Sequence, residues 1–120
     1  MRVISQIGLT FIALVAHCQF VAAASSTWRC EFPKFDEPLT FTTELGTGRG
    51  KIIGNAGTAD IWVVEGALAV SFIEPLGSGA VQVTTIVLKS GEAAHSRNTV
   101  MSIDGTFMPS QVLGSCSPWN

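Results

Sequence analysis

Basic residues are scarce in this chain of 120 residues. Seven Lys and Arg are outnumbered by nine Asp and Glu, and the formal net charge is −2 at pH 7. Nucleic acids and anionic membrane surfaces are bound by clusters of basic side chains on one face of a protein. The composition therefore argues against nucleic acid and against anionic membrane surfaces as partners.

No apolar run reaches the ~20 residues that a membrane-spanning helix needs. The one long hydrophobic stretch, Ile7 to Ala16, follows Arg2 and precedes the small residues Ala22 to Ala24. This order is that of a secretory signal peptide. We predict cleavage after Ala24, with Ala23 as the neighbouring choice. The product is a single domain, residues 25–120, in the periplasm or outside the cell, with no transmembrane segment.

Cysteine is also rare, with three residues in the whole chain. Cys18 leaves with the signal peptide, and lipidation there is disfavoured because His17, not a small residue, precedes it. An exported chain folds in an oxidising compartment, where the two remaining cysteines pair. We predict a disulfide between Cys30 and Cys116. The disulfide would close a loop of 86 residues. In the chain-entropy model, a loop of that length stabilises the folded state by on the order of 4 kcal/mol.

Helix signals are missing from the part of the chain after the leader. Short runs of alternating polar and apolar residues, rich in β-branched side chains, are separated by turn signals that contain glycine. These patterns predict seven or eight strands, at about 27–33, 38–45, 50–55, 58–65, 67–74, 80–89, 92–103 and 106–114. The connections are too short for crossover helices, so the strands form an antiparallel meander.

The predicted disulfide indicates how this meander ends. Cys30 lies in the first strand and Cys116 just after the last, and a disulfide holds its two Cα atoms within about 6 Å. The two edges of an open meander would be far apart. The sequence therefore favours an all-β domain closed as an up-and-down β-barrel. A two-layer β-sandwich with adjacent termini is the alternative.

Four polar residues share one face of the last three strands. Two-residue hairpins at Ser90–Gly91 and Asp104–Gly105 would align these strands, and the aligned face is mostly apolar, so we predict it to be interior. Its polar members are Thr85, Ser96, Asn98 and Gln111. Buried polar groups cost about 1–3 kcal/mol each when unpaired. The stripe is thus either an internal network that fixes strand register or the polar floor of a binding pocket.

The same alignment places His95 and Arg97 on the outer face, either solvated or as a recognition patch. His95 is the only histidine after the leader, too few for a metal site. A Ser/His/Asp set can be drawn from Ser71 or Ser110, His95 and Asp104, a weak signal in any chain with several serines. The run Gly46 to Lys51 lacks the Ser or Thr and the helix of a phosphate loop. We therefore predict no metal, no cofactor and no catalytic site. The run Gly46 to Lys51 is predicted to be a hairpin loop, and its two charges, Arg49 and Lys51, are candidates to contact an acidic partner.

Several segments together resemble a group of short uncharacterised exported proteins of Gram-negative bacteria. The segments are GNAGTADIWVV, SFIEP, VQVTTI, AHSRNTV, MPSQ and GSC, in that order. The resemblance implies export and an all-β fold, and it implies no activity. More loosely, the size, the disulfide and the meander resemble periplasmic β-barrel inhibitors of lysozyme or of proteases, whose inhibitory motifs are not matched here.

These observations predict an exported, non-enzymatic binding module of the bacterial envelope. The first hypothesis is an inhibitor-like barrel that binds a protein through the loops near Arg49 and through the face of His95 and Arg97. One alternative is a small-molecule carrier that uses the interior polar stripe. The other is a hydrolase that uses His95, which would require a nucleophile within about 3 Å of the imidazole.

Overall fold

The computed structural model describes residues 25–119, and the predicted signal peptide lies outside them. These residues form eight antiparallel strands: β1 (Ser25–Glu31), β2 (Leu39–Glu44), β3 (Arg49–Gly54), β4 (Gly57–Glu65), β5 (Ala69–Pro75), β6 (Val81–Val87), β7 (Glu92–Val100) and β8 (Phe107–Pro118). Each strand pairs with the next, and β1 also pairs with β8, so the sheet closes on itself. The predicted up-and-down barrel is confirmed. Between residues 25 and 119 no helix is long and apolar enough to cross a membrane.

The barrel closes where β1 meets β8. Cys30 and Cys116 are direct partners in that pairing, and their predicted disulfide is confirmed, with the Cα atoms 4.0 Å apart. Next to the disulfide, Gly114 leaves space for the ring of Phe32. A Cβ at Gly114 would overlap the carbonyl oxygen of Glu31 and lie 2.5 Å from Cδ1 of Phe32. Glycine is therefore required at this point of β8.

The barrel interior is packed with alternate side chains from the strands. Phe41 of β2 and Phe72 of β5 are almost fully buried and stack with their ring centroids 4.4 Å apart. Burying a ring of this size contributes about 1.5–3 kcal/mol. The apolar residues of the core are Cys30, Phe32, Phe41, Ile52, Ile61, Val63, Val70, Phe72, Ile86, Ala93 and Cys116.

The choice of interior face in β6, β7 and β8 was wrong. Thr84, Ile86, Ala93 and His95 are buried inside the barrel. The predicted stripe of Thr85, Ser96, Asn98 and Gln111 therefore lies on the outer face. Side chains alternate between the two faces of a strand, and the four residues still share one face, as expected. The error was to take the face with more aliphatic residues as the interior.

The two turns that fixed the expected register are longer than two residues. The β6–β7 loop spans residues 88–91 and ends at Gly91, with φ of 75°, whose N–H donates to the carbonyl of Val87. The β7–β8 loop spans 101–106, with Gly105 at φ of 69°. The true register is shifted by two positions, so Thr84 pairs with His95 and not with Arg97. A shift of two preserves which residues share a face.

Candidate functional site

One end of the barrel opens into a polar cavity. Its volume is about 530 Å³, within the range of small-molecule sites. The β1–β2 loop, the β3–β4 turn and the β5–β6 loop surround it. Its polar inward-facing residues are Glu74, Gln82, His95 and Arg97, and we call these four the polar mouth.

The register of three strands brings the polar mouth together. Glu74 of β5 pairs with Gln82 of β6, which pairs with Arg97 of β7. These three residues form one row across the sheet, and the Gln82 side-chain amide donates to the Glu74 carboxylate. Two positions deeper in the barrel, Thr84 pairs with His95. Because side chains alternate along a strand, both rows face the same cavity.

His95 is held from two directions. Its Nδ1 lies 2.7 Å from the Thr84 hydroxyl, a hydrogen-bond distance. The ring centroids of Phe32 and Phe35 lie 5.6 and 5.2 Å from the centroid of the imidazole. Burial, and to a lesser degree the positive charge of Arg97, lower the pKa of His95 below its ordinary value. The imidazole is therefore neutral at pH 7 and has one N–H to donate.

The β1–β2 loop contributes one aromatic ring and three charged side chains to the cavity. Residues 32–38 turn back on themselves, with the Phe35 N–H donating to the Phe32 carbonyl at 2.9 Å. Phe35 is half-buried and lines the cavity beside Lys34, Asp36 and Glu37. The cavity thus has a polar wall from β5–β7 and a wall with an aromatic ring from the loop.

Arg97 is the cation of the polar mouth. Its side chain lines the cavity, and the residue is exposed to solvent. Among residues 25–119, the ion pair that forms is between Lys51 and Asp60 on the outer surface, so Arg97 has no carboxylate partner within that part of the chain. A guanidinium presents five donors in a planar fork that matches a carboxylate. Arg97 is therefore able to bind an anionic group that enters the mouth.

The residues that suggested a hydrolase do not converge. Ser71 bonds Thr85 on the outer face, and Asp104 accepts hydrogen bonds from Thr106 in the β7–β8 loop. Ser110 of β8 pairs with Arg97, whereas His95 pairs with Val112 and hydrogen-bonds Thr84. The hydroxyl near His95 belongs to Thr84, which is only 2% exposed, so it orients the imidazole and does not meet a substrate. The described residues include no group of three or more His, Cys, Asp or Glu able to hold a metal ion.

Three of the four stripe residues make side-chain hydrogen bonds on the outer face. Thr85 bonds Ser71 with 2.8 Å between the hydroxyl oxygens, and the Gln111 amide donates to Ser96 at 3.3 Å. Thr85 and Ser96 are half-buried, while Asn98 and Gln111 are exposed. The stripe therefore links neighbouring strands from outside and does not line the polar mouth.

A second depression lies on the outer surface of β2–β4. Arg49 was predicted to lie in the hairpin loop, but it begins β3 and pairs with Trp62 of β4, because the loop ends before it. The guanidinium carbon lies 5.0 Å from the centroid of the indole, which is 54% exposed. Next to them, Lys51 and Asp60 form an ion pair at 2.9 Å, which raises the pKa of Lys51 and lowers that of Asp60. We call this depression, of about 620 Å³, the Trp62 groove.

Three residues that shape the mouth were not found from the sequence: Glu74, Gln82 and Phe35. A signal existed for Glu74, since the inward positions of its strand read Val70, Phe72, Glu74. A carboxylate that ends an apolar alternation is typical of a strand that reaches the rim of a barrel. Phe35 lies in an irregular loop, where the sequence pattern gives no direction to the side chain.

Comparison of this chain with protein-family models, with curated proteins and with solved structures finds no match. The resemblance to exported proteins of Gram-negative bacteria and to periplasmic inhibitors therefore stays a prediction. The barrel and the geometry of the polar mouth are the grounds on which a function is proposed.

Proposed function

We propose that this chain is an exported, non-enzymatic binding module of the bacterial envelope, and that its ligand site is the polar mouth. The observation that carries the proposal is the inward orientation of Glu74, Gln82, His95 and Arg97 around an open cavity. An eight-stranded barrel is just wide enough to be filled by side chains or to hold one small ligand. Here the deep part is filled by aromatic and aliphatic residues, and the mouth is left open and polar.

The polar mouth has hydrogen-bonding capacity that the protein does not use. Gln82 makes one bond, to Glu74, although an amide offers two donors and an acceptor. The guanidinium of Arg97 and one imidazole nitrogen of His95 also lack a partner among residues 25–119. Small-molecule sites use such convergent polar groups to fix the orientation of a ligand.

Export is supported by the disulfide and the leader pattern together. The Cys30–Cys116 bond joins the first and last strands of the barrel, and such bonds persist in oxidising compartments. Arg2, the apolar run and Ala22 to Ala24 give the order of a signal peptide. Both features agree with a location in the periplasm or outside the cell.

A small ligand fits the polar mouth better than a protein partner. A protein inhibitor presents a protruding rigid segment to its target, whereas these polar side chains face into a cavity, with Arg97 exposed at its opening. His95 is only 6% exposed and is covered by Phe35. The carrier hypothesis therefore takes first place, with the polar mouth in place of the outer stripe as its site.

A screen by nuclear magnetic resonance tests the proposal. The chain, expressed with its own leader, labelled with ¹⁵N and purified from the periplasm, is titrated with a library of small polar fragments. We expect shift changes that cluster at Gln82, His95 and Phe35, and that weaken in Gln82→Ala. The matched control is Gln111→Ala on the outer face, which should bind as the unaltered protein does. The proposal is wrong if no fragment shifts the mouth residues, or if both variants bind equally.

The Trp62 groove favours a second candidate function, binding of a protein. Trp and Arg are enriched among the residues that dominate protein–protein affinity, and Arg49 stacks on an indole that is 54% exposed. We expect Trp62→Ala to abolish capture of a specific envelope protein that Val64→Ala, an exposed neighbour, still captures. This candidate would be wrong if the two variants captured the protein equally, or if the unaltered protein captured no specific envelope protein.

A further inference from the structure

We propose that the ligand of the polar mouth is a short peptide of two or three residues, bound as a zwitterion along the row Glu74–Gln82–Arg97. This inference rests on the proposed function and gives its ligand a chemical class. The row presents a carboxylate, an amide and a guanidinium in that order. A free peptide presents the complementary order: an ammonium, an amide and a carboxylate.

The spacing of the row agrees with the length of such a peptide. Neighbouring strands lie about 4.8 Å apart, so the Cα atoms of Glu74 and Arg97, two strands apart, are about 10 Å from each other. An extended chain spans at most about 3.5 Å per residue. The two charged ends of a dipeptide or tripeptide are therefore separated by about 7–10 Å, and Gln82 lies opposite the middle.

Each residue of the row has unused hydrogen-bond donors or acceptors that match one part of the peptide. The Glu74 carboxylate accepts one bond from Gln82 and retains lone pairs for an ammonium. Gln82 retains one N–H and its carbonyl oxygen, which pair with a peptide bond. Arg97, without a carboxylate partner within residues 25–119, offers its planar fork to the terminal carboxylate. Charged hydrogen bonds of this kind are about twice as strong as neutral ones.

The charges around the cavity are of both signs, which suits a ligand that itself carries both signs. Lys34 and Arg97 are positive, and Asp36, Glu37 and Glu74 are negative. His95 adds no charge at pH 7, because its pKa is lowered. A dianion or a dication would meet at least two like charges. A zwitterion pairs with Arg97 at one end and Glu74 at the other.

The cavity also has room for peptide side chains. Its remaining lining includes the apolar residues Phe35, Leu39 and Ile52, on elements outside the row, and Leu76, two residues after Glu74. Small apolar side chains are therefore accommodated without a polar partner.

Trialanine is the probe, and its end-blocked forms are the controls. Full-chain protein purified from the periplasm is titrated with trialanine, with N-acetyl-trialanine and with trialanine amide, and dissociation constants are measured by nuclear magnetic resonance. We expect each blocked form to bind at least about tenfold more weakly than trialanine, since each loses one charged hydrogen-bonding end. Shift changes should centre on Gln82.

Two substitutions assign each end of the peptide to its partner. In Glu74→Gln the penalty of N-acetylation should disappear, and in Arg97→Gln the penalty of amidation should disappear. Arg97→Lys, which keeps the charge without the fork, should restore part of the affinity. Lys89→Gln, at an exposed basic residue of the β6–β7 loop outside both candidate sites, is the matched control and should change each constant less than twofold. Thermal unfolding of every variant shows whether it folds.

The outcomes separate this inference from the proposed function. The peptide assignment is overturned if trialanine does not shift the mouth residues while other fragments do, and the binding role of the mouth then stands. It is also overturned if the blocked forms bind as well as trialanine. If neither trialanine nor any fragment shifts the mouth residues, both proposals fail.

Discussion

His95 is a buried imidazole held between a hydroxyl and two aromatic rings. The Thr84 hydroxyl fixes one ring nitrogen, and Phe32 and Phe35 exclude water from the ring faces. A buried group favours its neutral form, which is why the pKa of His95 is lowered. The residue thus gives the mouth a neutral hydrogen-bonding group beside the charge of Arg97.

The buried imidazole makes the stability of the barrel depend on pH. Unfolding restores the ordinary pKa of about 6.5, so below that pH the unfolded chain binds the proton more readily than the folded one. The free energy of unfolding is therefore expected to fall as the pH drops from 7 to 5, by at most about 1.4 kcal/mol per pH unit. Urea unfolding at several pH values measures it.

His95→Gln isolates this effect, because glutamine keeps a hydrogen bond to Thr84 and does not titrate. Its free energy of unfolding should be flat over the same range, while the outer-face control Asn98→Gln should keep the slope of the unaltered protein. Asp60 and Asp104 do not interfere, since their pKa values are lowered from an ordinary value that already lies near 4. A slope that persists in His95→Gln would contradict the account of this residue.

At the scale of the strand, the contact of β8 with the end of β1 depends on the absence of a side chain. Gly114→Ala would place a Cβ 2.5 Å from Cδ1 of Phe32, and overpacking of this kind costs about 1–3 kcal/mol. Gly77→Ala, in the β5–β6 loop, would meet no atom within 4 Å and should change the free energy of unfolding by less than about 1 kcal/mol. Thermal and urea unfolding compare the two variants, and equal stabilities would contradict this packing.

The strands themselves were predictable, but their inward faces were only partly so. Alternation between apolar and polar residues is clear in β2, where Phe41 and Thr43 are buried. In β6 and β7 both faces are mixed: the inner one carries Thr84 and His95, the outer one Val83 and Ala94. Counting aliphatic residues then selects the wrong face. The inner face of β8 could have been predicted from Cys116, because a disulfide-bonded cysteine is buried and Gly114 lies on the same face two residues before it.

The sequence predicted that the candidate site would be a polar patch in the barrel mouth, but it did not predict which residues form it. A polar patch in a barrel mouth was expected, and His95 and Arg97 were singled out, yet they were assigned to the outer surface. Their true orientation follows from the face of β7, which local patterns left ambiguous. Glu74 and Gln82 acquire their role only through cross-strand pairing with Arg97. Such a row is a property of the register, and the register depends on loops that were longer than expected.

At the scale of the whole molecule, the sheet that closes into the barrel is also the sheet whose strands line the polar mouth. The Cys30–Cys116 bond lies in the pairing that closes the barrel, and constraint of the unfolded chain by such a bond contributes on the order of 4 kcal/mol. Closure places β5, β6 and β7 around a common axis. The inward residues at one end then converge on the polar mouth, while the outer face carries the Trp62 groove.

The central claim is that ligands enter the barrel through the polar mouth. A crystal structure of the protein with the fragment that binds most tightly in the screen tests this claim most directly. The account predicts the fragment inside the mouth, within hydrogen-bond distance of Gln82 or Arg97. A fragment seated instead on the outer stripe of Thr85 and Ser96, with the mouth unchanged, would contradict it.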